Sequence, residues 1–200
     1  IQVLLTDHHD PREDEVYPNA YAVVDPKRED CKYPFSDICG AGVIFKLMLL
    51  LYWELGLELD YVYELLDLLA VATVADVMSL TEENRVFVKE GLNLIRSEQR
   101  LFFKILNEKM SITTIDEETI GFKYGPAINA IGRLDGCPSI VVEAMISDDI
   151  GFVTEICERM VKTNERRKEL SAEHEKRAEE ILSEQEERDV IVIYDEDFEE

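Results

Sequence analysis

The chain opens on an apolar run, Ile1-Gln2-Val3-Leu4-Leu5-Thr6, that breaks off into Asp7-His8-His9. A short apolar run bounded by polar residues predicts a buried strand over 1–6. A polar loop follows over 10–19, marked by Pro11 and Pro18, and a second strand is predicted over 20–24, ended by Asp25-Pro26. Residues 27–35 read as loop. A helix over 40–54 begins at Gly40-Ala41-Gly42, carries a broad apolar face and stops at Gly56. Helical spacing of Tyr61, Leu65, Leu68, Leu69 and Ala72 predicts one long helix over 61–77. Thr81 is placed to cap a third, over 82–97, and 99–109 reads as a shorter fourth. The polar stretch 113–119 leads into 121–136, whose Gly and Pro content predicts a loop. A further helix is predicted over 139–146, and Asp148-Asp149 opens the last one, running from about 150 to 188. Residues 190–194 read as a new strand.

The last helix has two characters. Phe152, Val153, Ile156, Met160 and Val161 give its first half an apolar face. Beyond Leu170 that seam thins to Ala178, Ile181 and Leu182, while acids and bases recur three and four apart, a spacing that supports an exposed helix. An interdomain connector fits this better than a coiled coil. The expected class is therefore α/β and helix-rich: a partial parallel-sheet domain over 1–149, a long connector helix over 150–189, and over 190–200 the start of a second domain. With no Met at Ile1 and a fresh apolar run just before Glu200, the chain reads as a piece of a longer polypeptide.

Composition narrows the classes of function. Hydrophobic residues make up 46% of the chain, enough for a core. The longest uncharged apolar stretch, 47–53, is too short to span a bilayer. Cys31, Cys39, Cys137 and Cys157 form no CxxC pair, which argues against a zinc ribbon or a disulfide framework and fits a reducing cytoplasm. The net charge of −23 argues against a general polyanion binder, so a nucleic-acid role must rest on a local site, a metal or a basic region elsewhere.

Three places could carry chemistry. Asp7-His8-His9 sets a carboxylate and two imidazoles, common ligands of divalent metals, where a strand ends. Open α/β sheets bind ligands at that end of their strands. The alternative is a solvated loop that happens to hold two histidines. Asp76 is a lone carboxylate in the apolar run 68–77, where burial demands a cation, a metal or hydrogen bonds in compensation. It also falls near a helix C-terminus, where the dipole disfavours negative charge. Capping of the next turn, or a pair with Arg85, would explain it equally. In Gly121–Gly136, Arg133 offers a bidentate fork for an oxyanion, Asn129 an amide donor and Gly132 a close backbone approach. A structural salt bridge from Arg133 is the competing account. Gly40-Ala41-Gly42 lacks the third glycine of a dinucleotide cradle, because Phe45 stands there, and no Gly-Lys-Ser/Thr follows.

In order along the chain, these sites and the segments between them resemble the DHH phosphoesterase family, and within it the bacterial exonucleases specific for single-stranded DNA. The resemblance is carried by Asp7-His8-His9, Tyr21–Arg28, Tyr33-Pro34-Phe35, Gly40–Lys46, Ala72–Leu80, Glu83-Asn84-Arg85 and Gly125–Asp135. It implies that His8 and Asp76 ligate a divalent metal, Mn2+ or Mg2+. It implies that His9 contacts the scissile phosphate and that Asp7 orients the histidines or supports the metal shell. Asn129, Gly132 and Arg133 would hold the nucleic-acid phosphate. The implied activity is metal-dependent hydrolysis of single-stranded DNA from the 5′ end, in repair and recombination, by a cytoplasmic monomer working with a single-strand-binding protein or a helicase. Family members carry two further aspartate motifs before the triplet and a second domain, of the DHHA1 type, after the long helix. The sequence given holds neither in full, so this fragment alone is expected to be inactive.

Two other readings compete. A family member acting on short oligonucleotides, cyclic dinucleotides or pyrophosphate would use the same triplet. A non-enzymatic acidic helical interaction module would leave the histidines incidental.

Overall fold

In a computed structural model of the chain, which describes residues 2–11, 19–183, 190–194 and 198, β1 (Leu4–Thr6) and β2 (Ala22–Val24) pair in parallel. Leu4 stands opposite Ala22 and Thr6 opposite Val24. The strands are shorter than the apolar runs that encode them, because a strand exists only where a neighbour accepts and donates its hydrogen bonds. Flanking bonds from Tyr21 N to Val3 O (2.7 Å) and from Asp7 N to Val24 O (3.0 Å) carry the pairing a residue further at each end. Most of the loop expected over 10–19 lies outside the described residues.

The chain divides into two compact units: Ile1–Gln99 with Thr113–Gly125, and Arg100–Ile112 with Pro126–Glu200. In the first, α1 (Gly40–Glu54) takes the predicted bounds. Ile38, Cys39, Val43, Phe45, Val62, Leu69 and Phe87 form its core cluster. The predicted helix over 61–77 is broken into α2 (Asp60–Tyr63) and α3 (Leu66–Ala75). No Gly or Pro marks the break. A turn bond from Leu65 N to Val62 O (3.0 Å) replaces the regular ladder there, and the core residues Val62 and Leu69 sit on either side of it. α4 (Glu82–Arg96) lies against α3 so closely that Gly91 meets the Leu66 backbone and Ala70. Thr81 holds the N-cap position of α4 but makes no side-chain capping bond.

The end of α3 carries strain. Val77 N bonds Val74 O and Met78 N bonds Thr73 O, both at 3.1 Å, which closes the helix in a Schellman arrangement. That arrangement needs a left-handed residue after the C-cap, and Val77 supplies it at φ 57 where glycine is usual. α1 ends the same way, on Gly56 at φ 66.

The loop predicted over 121–136 is helical instead. After α5 (Leu101–Lys109) and the short α6 (Glu117–Thr119) come a π-helical turn, Ile120–Tyr124, then α7 (Gly125–Ala130), then a second π-helical turn, Ile131–Asp135. Gly and Pro suggested a break, but the backbone stays helical through Pro126, which follows directly on the first π-helical turn. Buried Ile120 and Tyr124, and likewise Ala127, Ala130 and Ile131, give the stretch a packed face in each unit. The chain leaves the helix only at Gly136, at φ 70.

The second unit holds α5, α8 (Ser139–Met145) and α9 (Ile150–Ser183). Asp149 caps α9 by accepting from Phe152 N at 3.0 Å. Val153, Ile156, Cys157 and Met160 are buried, and Cys157 Sγ lies 3.9 Å from Phe102 O of α5. Burial pushes the Cys157 thiol up to about 12. Beyond Asn164 no described residue of α9 is buried, as its charge pattern requires. Residues 184–189 lie outside the description. Residues 190–194 form no strand: Val190, Ile191, Val192 and Tyr194 are exposed, and among the described residues none pairs with them.

A candidate metal and phosphate site at the strand ends

Because β1 and β2 run parallel in register, their carboxyl ends deliver Asp7-His8-His9 and Asp25-Pro26-Lys27 side by side. The triplet is ordered by its own aspartate. Asp7 Oδ1 accepts from His8 N at 2.7 Å and from His9 N at 3.2 Å, and pairs with His9 Nδ1 at 2.7 Å. The bond to His9, then that to the His8 backbone, hold the Asp7 carboxyl below its ordinary value. The same bond, reinforced by the Asp7 charge, raises the His9 imidazole. His9 is thereby favoured as a cation with its Nδ1–H committed to Asp7. Its other nitrogen can then meet an anionic oxygen.

The His8 ring lies against that of His9, centroids 4.4 Å apart. Its Nε2 lies 3.6 Å from Asp76 Oδ2, with side-chain exposures of 18% and 47%. Asp76 is therefore not the buried carboxylate that its apolar run suggests. It occupies the C-cap of α3, where the last turn turns outward, and desolvation is not what calls for a cation there. The C-terminal end of the helix dipole is. Among the described residues no ion pair joins it to Arg85; it faces His8.

The separation suits a shared metal. Two ligands about 2.1 Å from one ion stand roughly 3.0–3.5 Å apart at octahedral or tetrahedral angles. At 3.6 Å, His8 and Asp76 stand close to the separation of two ligands of one divalent cation, with one borderline nitrogen and one hard oxygen. Among the described residues no group of three or more His, Cys, Asp or Glu converges to complete a shell. Gly40, the first residue of α1, backs the imidazole: a Cβ there would stand 3.2 Å from His8 Cδ2 and 3.6 Å from His8 Nε2. The positive end of α1 therefore abuts the triplet, an arrangement that favours a nearby anion.

The third expected group lies elsewhere in the chain. Asn129 belongs to α7, and Gly132 and Arg133 to the second π-helical turn. All three are exposed, within about one turn of helix, and all belong to the second compact unit. π-Helical turns are uncommon and cluster at functional sites.

Reasoning from sequence passed over two features. Asp25, at the end of β2, is only 3% exposed and accepts from Lys27 N at 2.9 Å. The signal was available: both apolar strand runs end in aspartate. The second feature joins three separated segments. Glu83 accepts from Lys46 Nζ at 2.5 Å and from the Tyr33 hydroxyl, and the ammonium lies 5.5 Å from the Tyr33 ring centroid. No local pattern announces it.

Residues 1–73 match the family model described as "DHH family, N-terminal domain". The chain is 34% identical over 187 residues to the single-stranded-DNA-specific exonuclease RecJ of Bacillus subtilis (strain 168), covering 92% of this chain and 23% of that protein. It is 35% identical over 182 residues to RecJ of Escherichia coli (strain K12), covering 85% of this chain and 31% of that protein. Among solved structures, RecJ of Thermus thermophilus in complex with Mn2+ superposes with a TM-score of 0.75 at 32% identity, over 87% of this chain and 26% of that one. A structure of exonuclease RecJ bound to manganese gives 0.76 at 31% identity, over 92% and 45%. The chain spans about a quarter to a third of the length of these curated relatives. The chain thus resembles the DHH family over residues 1–73 and the RecJ exonucleases over most of its length.

Proposed function

We propose that the protein containing this chain is a metal-dependent exonuclease that hydrolyses phosphodiester bonds of single-stranded DNA from the 5′ end, in DNA repair and recombination. The observation that carries the reading is the 3.6 Å approach of His8 Nε2 to Asp76 Oδ2 at the end of a parallel strand pair. RecJ relatives, two of them solved with manganese, support the substrate class and the cofactor. His8 and Asp76 would hold Mn2+ or Mg2+, which when bound supplies Lewis-acid stabilisation of phosphoryl charge. Asp7 holds the His9 ring in place through its 2.7 Å bond, and His9 would present a cationic ring to the scissile phosphate. Asn129, Gly132 and Arg133 would grip the phosphate backbone, Arg133 through its fork. α9 would link this domain to a second, DHHA1-type one. The fragment alone would lack the remaining metal carboxylates and turn over little or no DNA. The working form would be a cytoplasmic monomer, meeting its DNA with a single-strand-binding protein or a helicase.

The test is a substrate panel on the full-length protein with Mn2+: 5′-labelled single strands, duplex, dinucleotides, cyclic dinucleotides and pyrophosphate. Single strands should be preferred, and His8→Ala and Asp76→Ala should each lower kcat about 100-fold or more. Preference for dinucleotides or pyrophosphate would reject the exonuclease reading in favour of another DHH-family phosphodiesterase.

A further inference from the structure

Lys27 leaves the end of β2 beside the triplet, and nothing in the assignment above uses it. Its backbone N–H is anchored to the buried Asp25 carboxylate at 2.9 Å, so the turn that projects it is fixed from below. Its Nζ lies 3.4 Å from Oδ1 of Asp10, the residue after His9. The Lys27 side chain is 21% exposed and that of Asp10 is 88% exposed. The Lys27 side chain is thus largely covered, while its counter-charge is a solvated carboxylate that can give way. An ion pair with so exposed a partner is weak. Arg28, the next residue, is committed elsewhere: it pairs with Asp30 at 2.8 and 2.7 Å and donates to Val23 O at 3.2 Å. Around the strand ends Asp7, Asp10, Asp25 and Asp76 would repel a polyanion, and the chain as a whole carries a net charge of −23. Against that field a phosphate reaching the His9 ring gains from a second local cation, and a lysine is a point-charge phosphate binder.

We propose that Lys27 is a phosphate-binding residue of the strand-end site, exchanging its Asp10 partner for a non-bridging oxygen of a single-stranded DNA phosphate. The proposal rests on the nuclease reading above and adds to it a substrate contact at a named residue.

The experiment uses the full-length protein, Mn2+ and a 5′-labelled single strand, with KM followed against salt concentration. Lys27→Met should raise KM roughly tenfold, the cost of one charged hydrogen bond. It should also flatten the log KM against log salt slope by about 0.7, the share of one single-strand phosphate contact. Half-saturation by Mn2+ should not move. Lys27→Arg should restore most of the KM, and Asp10→Asn, which frees the ammonium, should lower KM or leave it unchanged. A Lys27→Met protein with KM within twofold of the parent and an unchanged slope overturns the proposal. So does a loss that follows a lower melting temperature with the slope intact, which would mark the Asp10 pair as a structural tie. If Lys27→Met does not fold, Asp10→Asn decides: a raised KM with an unchanged slope overturns the proposal. His8→Ala separates the two levels. If it abolishes turnover while Lys27→Met changes nothing, the nuclease reading stands and Lys27 falls; if it turns over normally, both fall.

Discussion

Gly91→Ala tests how α4 positions the end of α3. A Cβ built at Gly91 stands 2.2 Å from Leu66 O, 2.5 Å from Ala70 Cβ and 2.9 Å from Leu66 C. Real Cβ atoms essentially never come closer than 3.0 Å, so the helices must part by about 0.8 Å, and backbone atoms cannot swing aside as a side chain can. Overpacking of this kind costs about 1–3 kcal/mol. The new alanine returns roughly 0.5–1 kcal/mol, because glycine is the poorer residue inside a helix. The balance is about 1–2 kcal/mol of destabilisation, or a drop in Tm of roughly 2–8 °C for a chain of this size. Far-UV circular dichroism gives the melt, and hydrogen exchange of α3 and α4 amides locates it. Asp76 rides on α3, so the same displacement should weaken Mn2+ binding. If Gly91→Ala melts at or above the parent temperature, helix propensity alone is at work and the close approach of the two helices is wrong.

Two further outcomes are expected. Val77→Gly should stabilise: Val77 is 87% exposed, so little packing is lost. Relief of a left-handed valine, about 1–2 kcal/mol, exceeds the roughly 0.5–1 kcal/mol of added unfolded-state entropy. A lower urea midpoint would show that the valine makes contacts that matter more than its backbone strain. The Glu83 cluster should leave a mark on the acid limb of stability. Partial burial pushes the Glu83 carboxyl up, but the bonds from Lys46 and Tyr33 and the Lys46 charge outweigh it and hold the group below its ordinary 4.5. A depressed carboxyl contributes stability above its unfolded value and loses it as pH falls through the folded one. Glu83→Gln should therefore flatten the fall in Tm below about pH 4.5, modestly, since the pair is about one-third exposed. Parallel Tm curves for variant and parent would refute the role of the cluster.

Much of the site was legible in local pattern. An apolar run that stops at Asp7-His8-His9 needs no partner to be recognised as a strand end bearing polar, ionisable side chains. The bounds of α1 followed from Gly40 and Gly56, and the two halves of α9 followed from where apolar residues give way to charge. Asp76 was singled out as a buried carboxylate, and the structure leaves its side chain 47% exposed. An apolar sequence neighbourhood implies burial only if the helix continues into the core, and α3 ends at Ala75. The Gly- and Pro-rich stretch misled for a related reason: a glycine pressed against a neighbour packs as part of a helix and does not break it. Gly121 packs 3.6 Å from Val74 and Gly125 3.5 Å from Ala75, measured from the Cβ each lacks.

By itself the sequence determined which residues could do chemistry and which faces had to be covered. Those depend on side-chain type and on periods of two and 3.6, and both are local. Only the tertiary structure decided who meets whom. The in-register parallel pairing of β1 and β2 brings Lys27 to the triplet from 18 residues beyond His9. The close seat of α4 on α3 sets where Asp76 stands before His8. Glu83 gathers Tyr33 and Lys46 across 50 and 37 residues of chain. Such contacts follow from how packed elements share space, and no window along the chain contains both partners.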